Sequence, residues 1–180
     1  MKSKIISISA ISASLTALIL IIGAYVEMAD LFCLAISSTF VILPLYKNSY
    51  KGTLLSYLAG GIIAFLFSGF NFLSIVFPSY FLFFGLYPII SNFMREKKVK
   101  NIIVIIIGLI WTVGYFYGLY FYYFSVMNMS IGVYPMWAEF IINNMLIFIG
   151  IIAVPFYFFF DRYIIVMRMF LDKYLKKIVK

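Results

Sequence analysis

Six long apolar segments account for most of this chain and favour a membrane bundle over any water-soluble fold. They cover residues 5–26, 31–46, 52–70, 72–93, 102–126 and 137–160. About 20 apolar residues in a helix cross a hydrocarbon core of about 30 Å. With 66% apolar and 11% charged residues, the chain has too little polar surface to cover a soluble globule. The sequence therefore predicts an all-α polytopic membrane protein, a single domain over residues 1–180 with six transmembrane helices.

All fourteen lysine and arginine residues fall on one side of this arrangement. Two precede the first segment, two lie in the loop 47–51, four lie in the loop 94–100 and six lie in the tail 161–180. The opposite side carries Glu27, Asp30 and Glu139 and no basic residue. Because basic residues in short loops stay on the cytoplasmic side during insertion, the pattern predicts cytoplasmic N- and C-termini in a multi-pass bacterial plasma membrane protein.

The basic tail 161–180 has its own pattern of apolar and charged residues. Its apolar residues recur at near-helical spacing beside Arg168, Lys173, Lys176 and Lys177. The pattern favours either an amphipathic helix on an anionic leaflet or the end of the sixth helix. The net charge of +8 is dispersed over a membrane face, which argues against a nucleic-acid partner and leaves membrane lipid as the expected one.

The residue types needed for common enzyme chemistries are scarce. The chain contains no histidine and one cysteine, Cys33, and the spans hold no pair of acids at mid-membrane. It also lacks a glycine-rich phosphate-binding motif, so any ATP-driven work must be done by partner chains. We predict a non-enzymatic protein with no catalytic residue, no metal site and no cofactor.

A ridge of small residues on the first helix is the first candidate for a binding role. Ser9, Ala13 and Ala17 are spaced four apart, so they share one helix face and permit close approach of another helix. The partner helix can belong to another subunit or to this chain. Gly60 with Ala64, and Gly114 with Gly118, show the same spacing on the third and fifth helices.

Polar residues on the side opposite the lysines are the second candidate. Glu27 and Asp30 lie between the first two helices, and Glu139 begins the sixth, one turn before Asn143. An asparagine in an apolar span is costly unless it is paired or faces a polar cavity. These four residues are therefore predicted to border a binding pocket, although an interhelical hydrogen bond by Asn143 without any ligand is equally compatible with the pattern.

Aromatic residues on the fourth and fifth helices are the third candidate. Tyr120 and Tyr123 are three residues apart and could line a cavity and stack on a flat ligand, although an interfacial aromatic belt also explains them. Pro78 and Pro88 are expected to kink the fourth helix near Tyr80 and to open space there. We include Tyr80, Tyr120 and Tyr123 in the predicted substrate site.

The layout resembles the substrate-binding S components of energy-coupling factor transporters, which are small bacterial vitamin-uptake proteins. The resemblance rests on length, six spans, cytoplasmic termini, the ridge Ser9, Ala13, Ala17, and a second helix that runs to Pro44 before a short turn ending at Gly52. It implies that the ridge docks a transmembrane coupling subunit that works with ATPases in trans. It also implies a ligand near the outer surface, bordered by Glu27, Asp30, Glu139 and Asn143. A set of uncharacterised bacterial six-span proteins is similar too, especially around residues 83–90.

The resulting expectation is a substrate-capture subunit of an ATP-driven uptake transporter for a vitamin or similar small solute. The alternative is a non-enzymatic scaffold of envelope or cell-shape assembly, of the MreD type. Such a scaffold would use the same small-residue faces for partner helices but would have no outward pocket.

Overall fold

The computed structural model describes residues 3–71, 74–122 and 144–178, apart from the side chains at positions 27, 146 and 175–178. Within these ranges the secondary structure is helical, without strands, and six helices are long and apolar enough to cross a membrane. This confirms the all-α part of the predicted fold class and the number of helices with spanning length. The helices are α1 (Ser3–Tyr25), α2 (Asp30–Val41), α3 (Tyr50–Phe67), α4 (Val76–Glu96), α5 (Asn101–Phe121) and α6 (Met145–Ile178). A 3₁₀ turn, Glu27–Ala29, joins α1 to α2, and another, Leu43–Lys47, prolongs α2.

The last helix continues through most of the segment that the sequence presented as a tail. α6 has 34 residues, which corresponds to about 51 Å at about 1.5 Å per residue. This is more than the hydrocarbon core requires. Of the two alternatives for the tail, the structure has the continuation of the sixth helix, with Pro155 inside it.

Left-handed backbone conformations form the turns after α2 and α3. Gly69 and Phe70 have φ values of 71° and 57° directly after the end of α3. Asn48 has a φ of 53° and ends the 3₁₀ turn after α2. The hydroxyl of Ser49 then accepts a hydrogen bond of 3.2 Å from the backbone N–H of Gly52, which caps the start of α3.

α4 lies at the centre of the bundle. In its most apolar stretch 67% of the residues are buried, against 28–50% in the corresponding stretches of the other five helices. Large side chains of α4, among them Tyr80, Phe83 and Tyr87, are almost completely buried. The outer helices instead expose apolar side chains such as Ile11 and Ile110, as expected where lipid is the solvent. The other helices therefore pack around α4.

Hydrogen bonds from buried hydroxyl groups connect the helices that surround α4. Ser12 of α1 donates to the carbonyl oxygen of Phe40 at 2.6 Å, and Ser56 of α3 donates to that of Ser9 at 3.0 Å. Thr39 of α2 and Tyr163 of α6 share a hydrogen bond of 2.7 Å. In an apolar surrounding such bonds hold helices together where no hydrophobic driving force acts between them.

Candidate functional site

A widened turn in the middle of α4 shapes the region where the sequence predicted a kink. Residues Tyr80–Phe84 form a π-helical segment between the α-helical parts Val76–Ser79 and Leu86–Glu96. Pro88 has no backbone N–H, so the carbonyl oxygen of Phe84 lacks its usual helical partner. Ser38 of α2 donates its hydroxyl to that oxygen at 2.6 Å. The predicted break is thus a π segment whose carbonyl oxygens are bonded by neighbouring helices.

Two further side chains donate to carbonyl oxygens of this turn. The hydroxyl of Tyr57 on α3 donates to the carbonyl oxygen of Phe81 at 2.9 Å. The indole N–H of Trp111 on α5 donates to that of Leu82, also at 2.9 Å. Irregular backbone at membrane depth is tolerated when neighbouring helices satisfy its polar groups in this way. π segments inside α-helices often occur at functional sites.

We expect Ser38→Ala to lower the free energy of unfolding by about 1–2 kcal/mol, because it removes the donor to the buried carbonyl oxygen of Phe84. The adjacent Ser37 is the matched control. Both serines are completely buried, but within the described residues the hydroxyl of Ser37 donates only to the carbonyl oxygen of Leu34, in its own helix. Ser37→Ala should therefore cost about 0.5 kcal/mol or less, since that carbonyl keeps its helical bond. Denaturation by SDS in mixed micelles measures both values, and equal losses would contradict the role given to Ser38.

An apolar cavity of about 310 Å³ lies beside this segment, between the end of α3, the start of α4 and the end of α5. It is lined by Phe65, Phe77, Pro78, Phe81 and Tyr122. Its volume is at the lower end of the range of about 300–1,000 Å³ found for small-molecule pockets. The connectivity of α3, α4 and α5 places the cavity at the end of the bundle opposite the basic loops.

Aromatic packing fixes the walls of this cavity. The rings of Phe65 and Phe77 meet edge to face with centroids 5.2 Å apart. Phe81 packs edge to face on Tyr57 at 5.9 Å. A Cβ atom on Gly61 would come within 2.6 Å of the Phe81 ring, so the absence of a side chain there makes room for Phe81. The surface of the cavity is almost entirely hydrocarbon.

The described part of the predicted substrate site lies in several different places. Tyr80 is completely buried, its hydroxyl donates to the carbonyl oxygen of Tyr57 at 2.9 Å, and it is not among the residues lining the cavity. Tyr120, on α5, is half-buried, and Asp30 is half-buried at the start of α2. Glu27 belongs to the 3₁₀ turn between α1 and α2. Three predicted residues lie outside the described ranges: Tyr123, Glu139 and Asn143.

The predicted partner ridge faces α3 of the same chain. Ser9, Ala13 and Ala17 are 4–6% exposed. α1 packs more extensively on α3 than on any other described element, and a Cβ atom on Gly60 would come within 3.1 Å of the carbonyl oxygen of Ala13. Intramolecular packing, one of the two alternatives for this ridge, is therefore present.

A groove nevertheless remains between α1 and α3 on the surface of the bundle. It has a volume of about 400 Å³ and is lined by Ile6, Ser9, Ala10, Ala13, Leu55 and Ala59. Ser9 and Ala13 in this lining are buried, whereas Ile6 and Leu55 are exposed. The ridge thus contributes to an intramolecular contact and to an open groove.

A buried ion pair that is not among the residues predicted from the sequence links α4 to α6. Asp161 is 7% exposed. Its carboxylate accepts hydrogen bonds from Arg95 at 2.7 Å, Tyr87 at 2.7 Å and Ser91 at 3.3 Å. The position of Asp161 in the sequence could have indicated this pair, because an acid directly after a long apolar segment needs a partner in or near the membrane.

Comparison of the chain with protein-family models, with curated proteins and with solved structures found no match. The class of protein therefore follows from the fold itself, an all-helical chain with six helices long and apolar enough to span a membrane.

Proposed function

We propose that this protein is a membrane subunit that captures a small solute from the outer face and delivers it inward with the help of partner subunits. The observation that carries the proposal is the apolar aromatic cavity of about 310 Å³. It lies beside a π segment, at the end of the bundle opposite the basic loops. With cytoplasmic termini in a bacterial plasma membrane, as the positive-inside rule predicts, this end faces outward.

The lining indicates what kind of solute would bind. Phe65, Phe77 and Phe81 offer ring faces and edges, which suit a flat and largely apolar molecule. Tyr122, at the end of α5, adds a fourth aromatic ring. The acids Glu27, Asp30 and Glu139 belong to the same predicted face and would favour an amine-bearing group on the solute. A vitamin or a similar small molecule satisfies these requirements, as the resemblance to the S components of energy-coupling factor transporters suggests.

Energy for uptake would come from other chains, because this sequence has no nucleotide-binding motif. The groove between α1 and α3 supports this part of the proposal. Its small residues Ser9, Ala10 and Ala13 allow close approach of a helix from a transmembrane coupling subunit. Ala17 continues the same face one turn further along α1. The coupling subunit would in turn carry the ATPases.

Phe81→Leu is expected to weaken solute binding about two- to tenfold, because one aromatic contact contributes about 0.5–1.5 kcal/mol. The matched control is Phe67→Leu, which makes the same change on α3 at a side chain that is 73% exposed and outside the cavity. The measurement is equilibrium binding of the solute that co-purifies with the protein. Equal affinity in the two variants would place the solute elsewhere and contradict the assignment of the cavity.

A scaffold of envelope or cell-shape assembly is the second candidate, and the groove between α1 and α3 favours it equally. A scaffold would use the groove for a partner helix but would leave the aromatic cavity without a solute. Co-purification separates the two functions, since a scaffold brings envelope-assembly proteins and no small molecule.

A further inference from the structure

A second cavity, of about 170 Å³, lies at the basic end of the bundle, where α4 ends and α5 begins against α6. Its polar lining consists of Arg95, Asn101, Asp161 and Arg162. It has the volume of about five or six water molecules, at about 30 Å³ each. This is enough for one compact polar group of a few heavy atoms.

The charges at this cavity do not cancel. Arg95 pairs with Asp161 at 2.7 Å, so the acid is already neutralised. Arg162 forms no ion pair with any other part of the chain that the structure describes. The N-terminus of α5 adds positive partial charge, since Lys100 precedes it without a side-chain cap and the first N–H groups have no helical partner. The excess charge favours an anion.

The remaining walls of the cavity are apolar. Ile105, Phe158 and Ile165 complete its lining, and the side chain of Phe158 is 46% exposed. Ile102 and Ile106, which lie near Ile105 on α5, are 61% and 50% exposed. The charged part of the cavity therefore adjoins an exposed apolar surface formed by α5 and α6. An inorganic ion would gain no binding energy from these apolar walls, whereas the acyl chains of a lipid would pack against them.

We propose that this cavity binds the phosphate of an anionic phospholipid headgroup in the leaflet at the basic end of the bundle. Arg162 donates to the phosphate oxygens, and the amide of Asn101 and the start of α5 stand beside them. Planar guanidinium groups match phosphate geometry and are preferred for this contact. The proposal is independent of solute capture, because the two cavities lie at opposite ends of the helices.

The test uses the full chain in an uncharged detergent, with lipid binding counted by native mass spectrometry. Phosphatidylglycerol and phosphatidylcholine with identical acyl chains are the probes. Wild type should prefer phosphatidylglycerol at least about tenfold, and Arg162→Gln should lose about tenfold in phosphatidylglycerol affinity, the effect of one charge-assisted hydrogen bond. Arg162→Lys keeps the charge and should retain most of the preference.

Lys51→Gln is the control, because it removes one exposed positive charge of α3 from the same predicted side of the membrane. It should leave the preference unchanged. An undiminished preference in Arg162→Gln, with native helix content by circular dichroism, would overturn the proposal. Inorganic phosphate is the third probe. Saturable phosphate binding that Arg162→Gln abolishes, without any preference between the two lipids, would show a free-anion site and contradict the lipid assignment.

Discussion

Asp161→Asn should lower the free energy of unfolding by about 2–3 kcal/mol, because it leaves the guanidinium of Arg95 without its negative partner. Removing one member of a buried ion pair typically costs about 3–5 kcal/mol. Arg95 is 29% exposed, which lets solvent screen part of its charge and places the expected loss at or below the lower limit of that range. Tyr87 and Ser91 can still donate to the asparagine oxygen, so the loss reports the charge. SDS-induced unfolding in mixed micelles gives the measurement.

Asp172→Asn is the matched control for this prediction. Asp172 pairs with Arg168 at 3.4 Å, one turn away on the same helix, and its side chain is 34% exposed. Such pairs contribute about 0.3–0.5 kcal/mol, so this variant should be almost as stable as wild type. If the two variants unfold alike, the Asp161 carboxylate does not hold α4 to α6. Replacing Arg95 as well, in Arg95→Met with Asp161→Asn, removes the unpaired charge and keeps an oxygen acceptor for Tyr87 and Ser91, so this double variant should recover most of the lost stability.

Gly60→Leu should destabilise the bundle by about 3 kcal/mol or more, because α1 and α3 are in contact at this position and side chains added to a packed interface force helices apart. A Cβ atom there would already lie 3.0 Å from Thr16 and 3.1 Å from the carbonyl oxygen of Ala13. Neither neighbour can move easily, since Thr16 is completely buried and the carbonyl is part of α1. A leucine adds three further carbon atoms to that gap. The thermal midpoint in detergent measures the change.

Gly114→Leu provides the comparison for Gly60→Leu. A Cβ atom on Gly114 would have no atom of the described residues within 4 Å, so leucine projects away from them on α5. Leucine also favours a helix over glycine by about 0.8–1.0 kcal/mol, so the midpoint should stay or rise. Equal losses for the two variants would contradict the close packing of α1 on α3.

The six spans could be predicted from the sequence because their physical cause is local. An apolar run of sufficient length becomes a helix in lipid, where every backbone polar group must find a partner within the segment. The prolines of α4 correctly indicated a break. Its form, a π segment bonded by Ser38, Tyr57 and Trp111, could not be read from the sequence, because it depends on which side chains of three other helices arrive there.

The sequence does not show which face of each helix is turned toward the candidate sites. Gly60 and Gly114 stand in equivalent small-residue patterns, yet one packs against α1 and the other faces away from the described residues. Tyr80 was predicted to line a cavity at the proline break, but the structure buries it in the core and places its neighbour Phe81 at the cavity. Consecutive residues of a helix diverge by about 100°, and a uniformly apolar span gives no periodicity that tells which face is buried.

Solute capture is tested most directly by native mass spectrometry of the protein extracted gently from its own host membrane. We expect a discrete small-molecule mass on the wild-type chain, reduced occupancy in Phe81→Leu and unchanged occupancy in Phe67→Leu. Co-purifying coupling and ATPase subunits are the second expected result. A wild-type chain that carries no small molecule and brings only envelope-assembly proteins would contradict the proposed function.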